Sequence, residues 1–266
     1  MNSDTFQEVR EALVASRRSL GRILAVANQK GGVGKTTTTI NLATALAACG
    51  KRVLVVDLDP QGNASTGLGV QTERRTHNVY HVTLGGRPLD SAVIETKVPG
   101  MFVAPSDVDL SAAELELIDM PDRERCLQRA LAGSQLQFDY VLIDCPPALG
   151  LLTLNALVAA DAVLVPLQAE FYALEGLSHL MRTIKRVQRA LNPRLEIQGI
   201  VLTMYDRRNN LCEQVAQDVR AHMGEVVYDT IIPRNVRVSE APSHGKPVLI
   251  YDMNCAGSRA YIRLAR

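Results

Sequence analysis

The chain has no tryptophan and only five cysteines among its 266 residues, and aromatic residues make up 4% of it. The cysteines are scattered and form no C-x-x-C pair, which argues against a disulfide framework and against a metal or iron–sulfur site. No apolar run approaches the roughly 18–20 residues that a membrane span needs. The N-terminus contains neither a long apolar core nor a small-residue cleavage site. We therefore expect no secretory signal and a cytoplasmic protein.

The net charge is also small, at +1, but it is unevenly distributed. From residue 182 to the end there are 14 Lys and Arg against 8 Asp and Glu, whereas residues 1–181 carry 15 against 20. The resulting net charge of +6 in the C-terminal third is a weak indication of an anionic partner. Solvated helix faces would give the same composition, so charge alone leaves both interpretations open.

Apolar, β-rich runs alternate with longer helical patterns along the chain. Strands are predicted over residues 22–28, 52–59, 101–105, 138–146, 161–168, 197–205 and 229–233, and helices near 36–49, 107–119, 122–132, 171–191, 210–223 and 256–266. Most of the strand candidates are continuously apolar, so helices should cover both faces of a mostly parallel sheet. We expect one doubly wound α/β domain over residues 21–266, with a polar, glycine-rich crossover over 60–100 that contains short helices. Residues 1–20 are predicted to be an N-terminal extension with a short amphipathic helix.

A phosphate-binding loop is indicated by the stretch ANQKGGVGKTTT, residues 27–38. It follows an apolar strand and leads into a helical pattern, which is the context that a phosphate loop requires. The glycines let the backbone curl so that successive N–H groups face an anion at a helix N-terminus. Lys35 would reach the β- and γ-phosphates, and the Thr36 hydroxyl would bind Mg²⁺. The loop departs from the general G-x-x-x-x-G-K-[ST] pattern because Gln29 replaces the first glycine and a second lysine, Lys30, precedes Lys35.

Acidic side chains follow two further predicted strands. Asp57 and Asp59 lie at or just past the tip of VLVVDLD, and Asp144 ends YVLID. A lone Asp at a strand end is often a turn or cap residue, but two such ends beside a phosphate loop favour a catalytic role. One carboxylate would bind Mg²⁺ through water while another positions the attacking water.

These motifs resemble those of the ParA/MinD family of deviant Walker A ATPases. KGGVGKTT matches the signature loop, and VDLDPQGNASTGLG, FDYVLIDCPP, LTMYDRRN and IIPRNVRVSEAPSHGKP follow in the order and spacing of that family. The chain is similar to the chromosomal, Soj-like branch, in which glutamine at the position of Gln29 is usual. The resemblance runs from about Arg22 to the end. It implies a P-loop ATPase domain, ATP/ADP and Mg²⁺ as cofactors, and a role in chromosome or plasmid partitioning.

The resemblance also implies roles for individual residues. Lys30 matches a lysine that reaches the phosphates of the partner subunit in an ATP-bound dimer, and Gly31 lies where the two subunits approach. Asp59 matches the acid that orients the hydrolytic water, Asp57 lies close by in the first switch, and Asp144 matches the Walker B acid, which contacts Mg²⁺ through water. The other nucleotide contacts that it implies are Gly32, Val33, Gly34, Lys35, Thr36 and Thr37 in the phosphate loop, and Met204, Pro233 and Asn235 in the pocket around the adenine base. Of these groups, the catalytic set would be Lys30, Lys35 and Asp59, and the Mg²⁺ set Thr36, Asp57 and Asp144.

For partners, the resemblance implies an ATP-bound homodimer, non-specific double-stranded DNA and a ParB/Spo0J-type centromere-binding protein that stimulates weak hydrolysis. Arg208 and Arg237 match arginines that Soj-like proteins use on the DNA backbone; without the resemblance they would be interpreted as surface ion-pair residues. Readout of phosphates would be sequence-independent and salt-sensitive, and the protein would associate with the nucleoid. A basic stripe in helix 171–191 either extends this surface or is a solvated helix face.

The main alternative is a membrane-surface ATPase like MinD, the division-site regulator. It would need a basic amphipathic helix at the C-terminus, whereas this sequence stops at AYIRLAR inside a helical pattern. This objection depends on the sequence not being truncated there. We expect no membrane partner.

Overall fold

The computed structural model describes residues 20–266, so the predicted N-terminal helix lies outside the described residues. The strands are β1 (Leu20–Val26), β2 (Val53–Asp57), β3 (Ile94–Glu95), β4 (Met101–Ala104), β5 (Phe138–Asp144), β6 (Ala162–Gln168) and β7 (Glu196–Thr203). The α-helices are α1 (Lys35–Ala48), α2 (Asn63–Gly67), α3 (Val79–Thr83), α4 (Leu110–Ile118), α5 (Cys126–Ala132), α6 (Leu151–Ala159), α7 (Ala173–Ala190), α8 (Asn210–Met223), α9 (Val236–Glu240), α10 (Val248–Tyr251) and α11 (Ala256–Leu264). Within these residues, every helix is too short or too polar to cross a bilayer.

The strands form one sheet in the order β3-β4-β2-β5-β1-β6-β7. All neighbours are parallel except β3, which pairs antiparallel with β4 at one edge. Because β5 lies between β1 and β2, the ends of three strands that are distant in sequence meet at the same edge. In the register, Asp144 of β5 is paired with both Val26 of β1 and Asp57 of β2. This edge is where parallel α/β sheets bind their ligands.

Side chains that alternate along the central strands build a core on each face of the sheet. On β2, Leu54 and Val56 belong to one core, which is covered by α3–α8. Val53 and Val55 belong to the other, which is covered by α1, α2, α10 and α11. This arrangement confirms the predicted doubly wound, mostly parallel sheet with helices on both faces.

Three segments differ from the sequence-based expectation or go beyond it. Residues 229–233 do not form a strand. Ile232 N donates to Leu202 O, but Pro233 has no N–H, and one isolated bridge joins Pro233 to Tyr205, just after β7. Helix α6 was not predicted, because its apolar run LLTLNALVA has no polar face. The 60–100 crossover contains the short helices α2 and α3, as expected, and it also supplies the edge strand β3.

Candidate functional site

The loop between β1 and α1 is shaped by two glycines and one asparagine. Gly32 and Gly34 have φ values of +74° and +86°, in the left-handed region that a glycine adopts at little cost. The Asn28 side chain donates to Pro166 O at 2.7 Å and accepts from Lys30 N at 3.0 Å. The loop is thereby anchored to β6 and delivers the N-terminus of α1, with its unpaired N–H groups, to the open edge of the sheet.

Lys35 lies at the first position of α1 with only 6% of its surface exposed. Its Nζ donates to Lys30 O at 3.0 Å, the one acceptor that the described residues give it. Burial lowers the pKa of Lys35, although the nearby carboxylates of Asp144 and Asp59 act in the opposite direction. A buried ammonium with a single carbonyl partner is prepared for an anionic ligand.

A cavity of about 460 Å³ lies against this loop, within the size range of small-molecule sites. The predicted residues that line it are Gly31, Gly32, Gly34, Lys35, Thr36, Thr37, Asp59, Met204, Pro233 and Asn235. The structure therefore brings the phosphate loop together with segments that lie roughly 170 to 200 residues further along the chain, as expected of a nucleotide site with phosphate and base subsites. The predicted residues that do not line it are Lys30, Val33, Asp57 and Asp144.

Asp144 ends β5 directly beneath the loop and is fully buried. Its Oδ1 accepts from Thr39 Oγ1 at 3.1 Å, while Oδ2 is buried and accepts no hydrogen bond of standard geometry from the described residues. Burial, followed by the charge of Asp57, raises the pKa of Asp144, and the hydroxyls of Thr36 and Thr39 oppose that rise. A buried carboxylate oxygen that accepts no hydrogen bond of standard geometry is suited to a cation or a cation-bound water.

Asp57 is also fully buried, but both of its oxygens are already used. Oδ1 accepts from Asp59 N at 3.3 Å, and Oδ2 accepts from Ser65 N at 2.8 Å and Ser65 Oγ at 2.6 Å. Burial raises the pKa of Asp57 despite these hydrogen bonds. Its carboxylate thus organises the turn that carries Asp59 into the cavity, where Asp59 Oδ1 accepts from Gln61 N at 2.9 Å. A direct role of Asp57 in metal binding stays a prediction.

Lys30 projects away from the cavity in this structure. Its Nζ forms an ion pair with Glu170, which lies in the loop between β6 and α7. The two side chains are 43% and 34% exposed. The residue predicted to serve a second subunit is therefore held by a carboxylate of its own subunit. Gly31, beside it, is exposed.

Ten of the residues that line the cavity were not predicted from the sequence, and Thr203 and Tyr261 are two of them. Thr203, at the end of β7, donates to Val33 O at 2.8 Å and fixes the far side of the phosphate loop. Tyr261 lines the cavity from α11, and its buried hydroxyl lies 3.4 Å from Thr38 Oγ1. A polar residue that ends an apolar strand was the only signal for Thr203, and Tyr261 gave none. Met204, which follows Thr203 and also lines the cavity, has a φ of +49°, which is rare for a residue with a side chain.

The residues predicted to contact the base and DNA differ in whether their side chains are already hydrogen-bonded or ion-paired. Asn235 caps α9, since its Oδ1 accepts from the N–H groups of Arg237 and Val238, and this leaves its amide nitrogen for a ligand. Arg208 is bonded to Asp206, with Nε at 3.0 Å from Oδ1 and Nη2 at 2.9 Å from Oδ2. Arg208 lines a cleft of about 820 Å³ that shares Pro233 and Arg234 with the cavity, whereas Arg237 does not line this cleft. Arg237 forms ion pairs with Glu240 at 3.0 Å and Asp252 at 3.6 Å.

Comparisons with known proteins agree with this geometry. A family model described as an AAA domain matches residues 21–197. The chain is 64% identical over 248 residues to the chromosome partitioning protein ParA of Caulobacter vibrioides, covering 92% of each chain. It is 49% identical over 247 residues to the sporulation initiation inhibitor protein Soj of Bacillus subtilis, covering 93% of this chain and 98% of that one.

Solved structures of similar fold also match the chain. Cobyrinic acid a,c-diamide synthase of Mycobacterium smegmatis, with bound ADP and magnesium, matches with a TM-score of 0.80 at 41% identity over 92% of each chain. The cell division ATPase MinD of Pyrococcus furiosus matches with a TM-score of 0.77 at 29% identity, covering 92% of this chain and 97% of that one. With its glycine-rich loop, its buried Lys35 and these relatives, the chain belongs to the ParA/MinD family, in the ParA/Soj branch of chromosome-partitioning proteins.

Proposed function

We propose that this protein is a nucleotide-dependent switch that partitions chromosomes or plasmids, and that it binds and hydrolyses ATP with Mg²⁺ at the ends of β1, β2 and β5. The observation that carries the proposal is the buried ammonium of Lys35, which lines the cavity with one carbonyl as its only acceptor among the described residues. Such a group is stabilised when phosphate oxygens supply the missing negative charge. Relatives named as partitioning proteins, and neighbours that contain ADP or an ATP analogue with magnesium, support it.

The residues around Lys35 fit this chemistry. Thr36 lines the cavity and would bind Mg²⁺ directly, and the buried Oδ2 of Asp144 would hold it through a water. The metal, when bound, neutralises charge that develops on the transferred phosphoryl group. Asp59, held by the N–H of Gln61, orients the attacking water. Lys35 contacts the β- and γ-phosphates.

The switch operates through a dimer. In the ATP state Lys30 leaves Glu170 and reaches the phosphates of the partner subunit, while Gly31 allows the two loops to approach. The dimer presents a joint basic surface to DNA and binds it without sequence preference, which associates the protein with the nucleoid. A ParB-type partner accelerates the weak hydrolysis by completing the geometry around the attacking water, and the return to ADP releases DNA.

Light scattering with ADP, ATP and a slowly hydrolysed ATP analogue, with and without DNA, tests the proposal. We expect the mass of the wild-type protein to double with ATP or the analogue, but not with ADP. Lys35→Ala should lose nucleotide binding, whereas Lys30→Ala should bind nucleotide and stay monomeric. Lys51→Ala is the matched control, because Lys51 is exposed and precedes β2, at the opposite end of that strand from Asp57. Unchanged ATP affinity in Lys35→Ala would refute the proposed site.

A further inference from the structure

One buried charge belongs to none of the residues predicted for the site. Arg75, in the crossover between α2 and α3, has only 7% of its surface exposed, and it is the one arginine among the buried residues that the structure describes. It forms no ion pair within residues 20–266. A guanidinium group cannot lose its proton, so its burial costs free energy unless hydrogen bonds satisfy its donors.

Four hydrogen bonds hold this guanidinium group. Nη2 donates to Thr66 Oγ1 at 2.8 Å and to Val70 O at 2.7 Å, Nε donates to Val70 O at 3.2 Å, and Nη1 donates to Ser106 O at 3.3 Å. Thr66 lies in α2 and Val70 follows that helix, whereas Ser106 follows β4. Arg75 therefore joins the segment after β2 to the segment after β4, and these two strands are neighbours in the sheet.

The contact with Thr66 leads to the turn that carries Asp59. Thr66 Oγ1 donates to Gly62 O at 3.0 Å, and Gly62 N donates to Asp59 O at 2.9 Å. The guanidinium group also lies directly against this turn, since a Cβ on Gly62 would be 2.5 Å from Arg75 Nη1. Asp59 and Gln61, on the same turn, line the nucleotide cavity, and Arg75 does not.

The contact with Ser106 leads to the same turn by a second route. Ser106, whose carbonyl oxygen accepts from Arg75, donates its N–H to Ser65 Oγ at 3.1 Å. Ser65 Oγ donates to Asp57 Oδ2 at 2.6 Å, and Asp57 Oδ1 accepts from Asp59 N at 3.3 Å. One route thus ends at the carbonyl oxygen of Asp59 and the other at its N–H, and both begin at one buried side chain.

We propose that Arg75 is a positioning residue for ATP hydrolysis, which fixes the turn that carries Asp59 so that this carboxylate is held where it orients the attacking water. The inference rests on the proposed function, because that function gives Asp59 its role. The planar, forked donors of a guanidinium group let one side chain bind acceptors on two segments at once, and the single ammonium group of lysine does not reproduce that geometry.

The test measures kcat for ATP hydrolysis and, separately, the affinity for the slowly hydrolysed ATP analogue. Because a catalytic group displaced by about 1 Å can cost about 100-fold in rate, we expect kcat of Arg75→Ala to fall roughly 10- to 100-fold. Its affinity for the analogue should change by less than about 3-fold, since Lys35 and the phosphate loop are unaltered. Arg75→Lys should be as slow as Arg75→Ala. Arg74→Ala is the matched control: it removes the neighbouring arginine, which is exposed, and should hydrolyse ATP like the wild-type protein.

A second pair of variants tests the connection itself and serves if Arg75→Ala does not fold. Thr66→Val keeps the shape of the side chain but removes the hydroxyl that joins Arg75 to Gly62, so kcat should fall while analogue affinity is kept. Thr66→Ser restores the hydroxyl and should restore kcat. Circular dichroism of each variant verifies that it is folded.

The outcomes separate this inference from the proposed function. If the wild-type protein hydrolyses ATP but Arg75→Ala, or Thr66→Val in its place, keeps the kcat of Arg74→Ala, Arg75 does not position Asp59 while the proposed function stands. If Arg75→Ala loses analogue affinity as strongly as kcat, or if Arg75→Lys hydrolyses ATP like the wild-type protein, the inference is also overturned. If the wild-type protein hydrolyses no ATP, with or without DNA and a ParB-type partner, both fail.

Discussion

Ser65→Ala tests whether the hydrogen bond between the Ser65 hydroxyl and the buried carboxylate of Asp57 stabilises the end of β2. Ser65 is fully buried in α2, and its hydroxyl donates to Asp57 Oδ2 at 2.6 Å and accepts from Ser106 N at 3.1 Å. Alanine keeps the bond from the N–H of residue 65 to Asp57 but removes both hydroxyl bonds. Asp57 then loses a donor worth about 1.5–3 kcal/mol to a charged acceptor, and the buried N–H of Ser106 loses its partner at a further cost of about 1–3 kcal/mol.

We therefore expect the free energy of unfolding to fall by about 2.5–6 kcal/mol. Urea unfolding followed by far-UV circular dichroism measures it, because the chain has no tryptophan to report by fluorescence. Ser111→Ala is the matched control, an exposed serine of α4 whose loss should change stability by less than about 0.5 kcal/mol. Because Asp57 also accepts from Asp59 N, the variant should hydrolyse ATP more slowly while it still binds ATP. A loss of stability no larger than that of Ser111→Ala would refute the role given to the Ser65 hydroxyl.

Other substitutions test separate parts of the molecule. Asp59→Ala should bind ATP, dimerise and stay on DNA without turnover, and rapid phosphate release would contradict the role of this carboxylate. Glu170→Gln removes the counter-charge of Lys30. Because a half-exposed ion pair is worth up to about 1 kcal/mol, ATP-dependent dimerisation should strengthen by up to about 5-fold in sedimentation equilibrium. Weaker dimerisation would show instead that the ion pair assists the ATP state. Gly21→Ala places a Cβ 2.0 Å from the backbone oxygen of Asp139, so it should lower the free energy of unfolding by more than about 2 kcal/mol. Gly176→Ala, in open space on α7, is its control and should be neutral or stabilising by up to about 1 kcal/mol; equal effects of the two would contradict the argument.

The sequence was informative where the signal is local. The phosphate loop was predicted because glycines, a lysine and a threonine lie together between an apolar strand and a helix. The acids were found because buried parallel strands are apolar and end abruptly, so that Asp57 and Asp144 stand out at their tips. The strand order puts those two aspartates side by side, but it depends on pairings between distant segments, which a local sequence pattern does not show.

The remaining features depend on contacts that no local pattern encodes. Tyr261 reaches Thr38 across 223 residues of chain, and a tyrosine near the end of a helix is typical of any core. Helix α6 is apolar on all sides, so periodicity could not distinguish it from a strand. The ion pair of Lys30 with Glu170 joins two residues 140 positions apart, and either of them alone would be interpreted as a surface charge.

The position of β1 inside the sheet has a consequence for synthesis of the chain. The strand that leads into the phosphate loop pairs with β5 and β6, so Leu20 meets Phe138 and Leu24 meets Ala162. The loop itself is fixed by Thr203, 170 residues after Val33. At roughly 5–20 residues per second, a ribosome makes this partner about 10–35 seconds after the loop has been made. During that interval the nascent chain carries the complete phosphate-loop sequence without the Thr203 contact that fixes its shape. The cavity gains its remaining walls, from Thr203 onward, only after β7 has been made, so the full stabilisation by bound nucleotide comes late in synthesis.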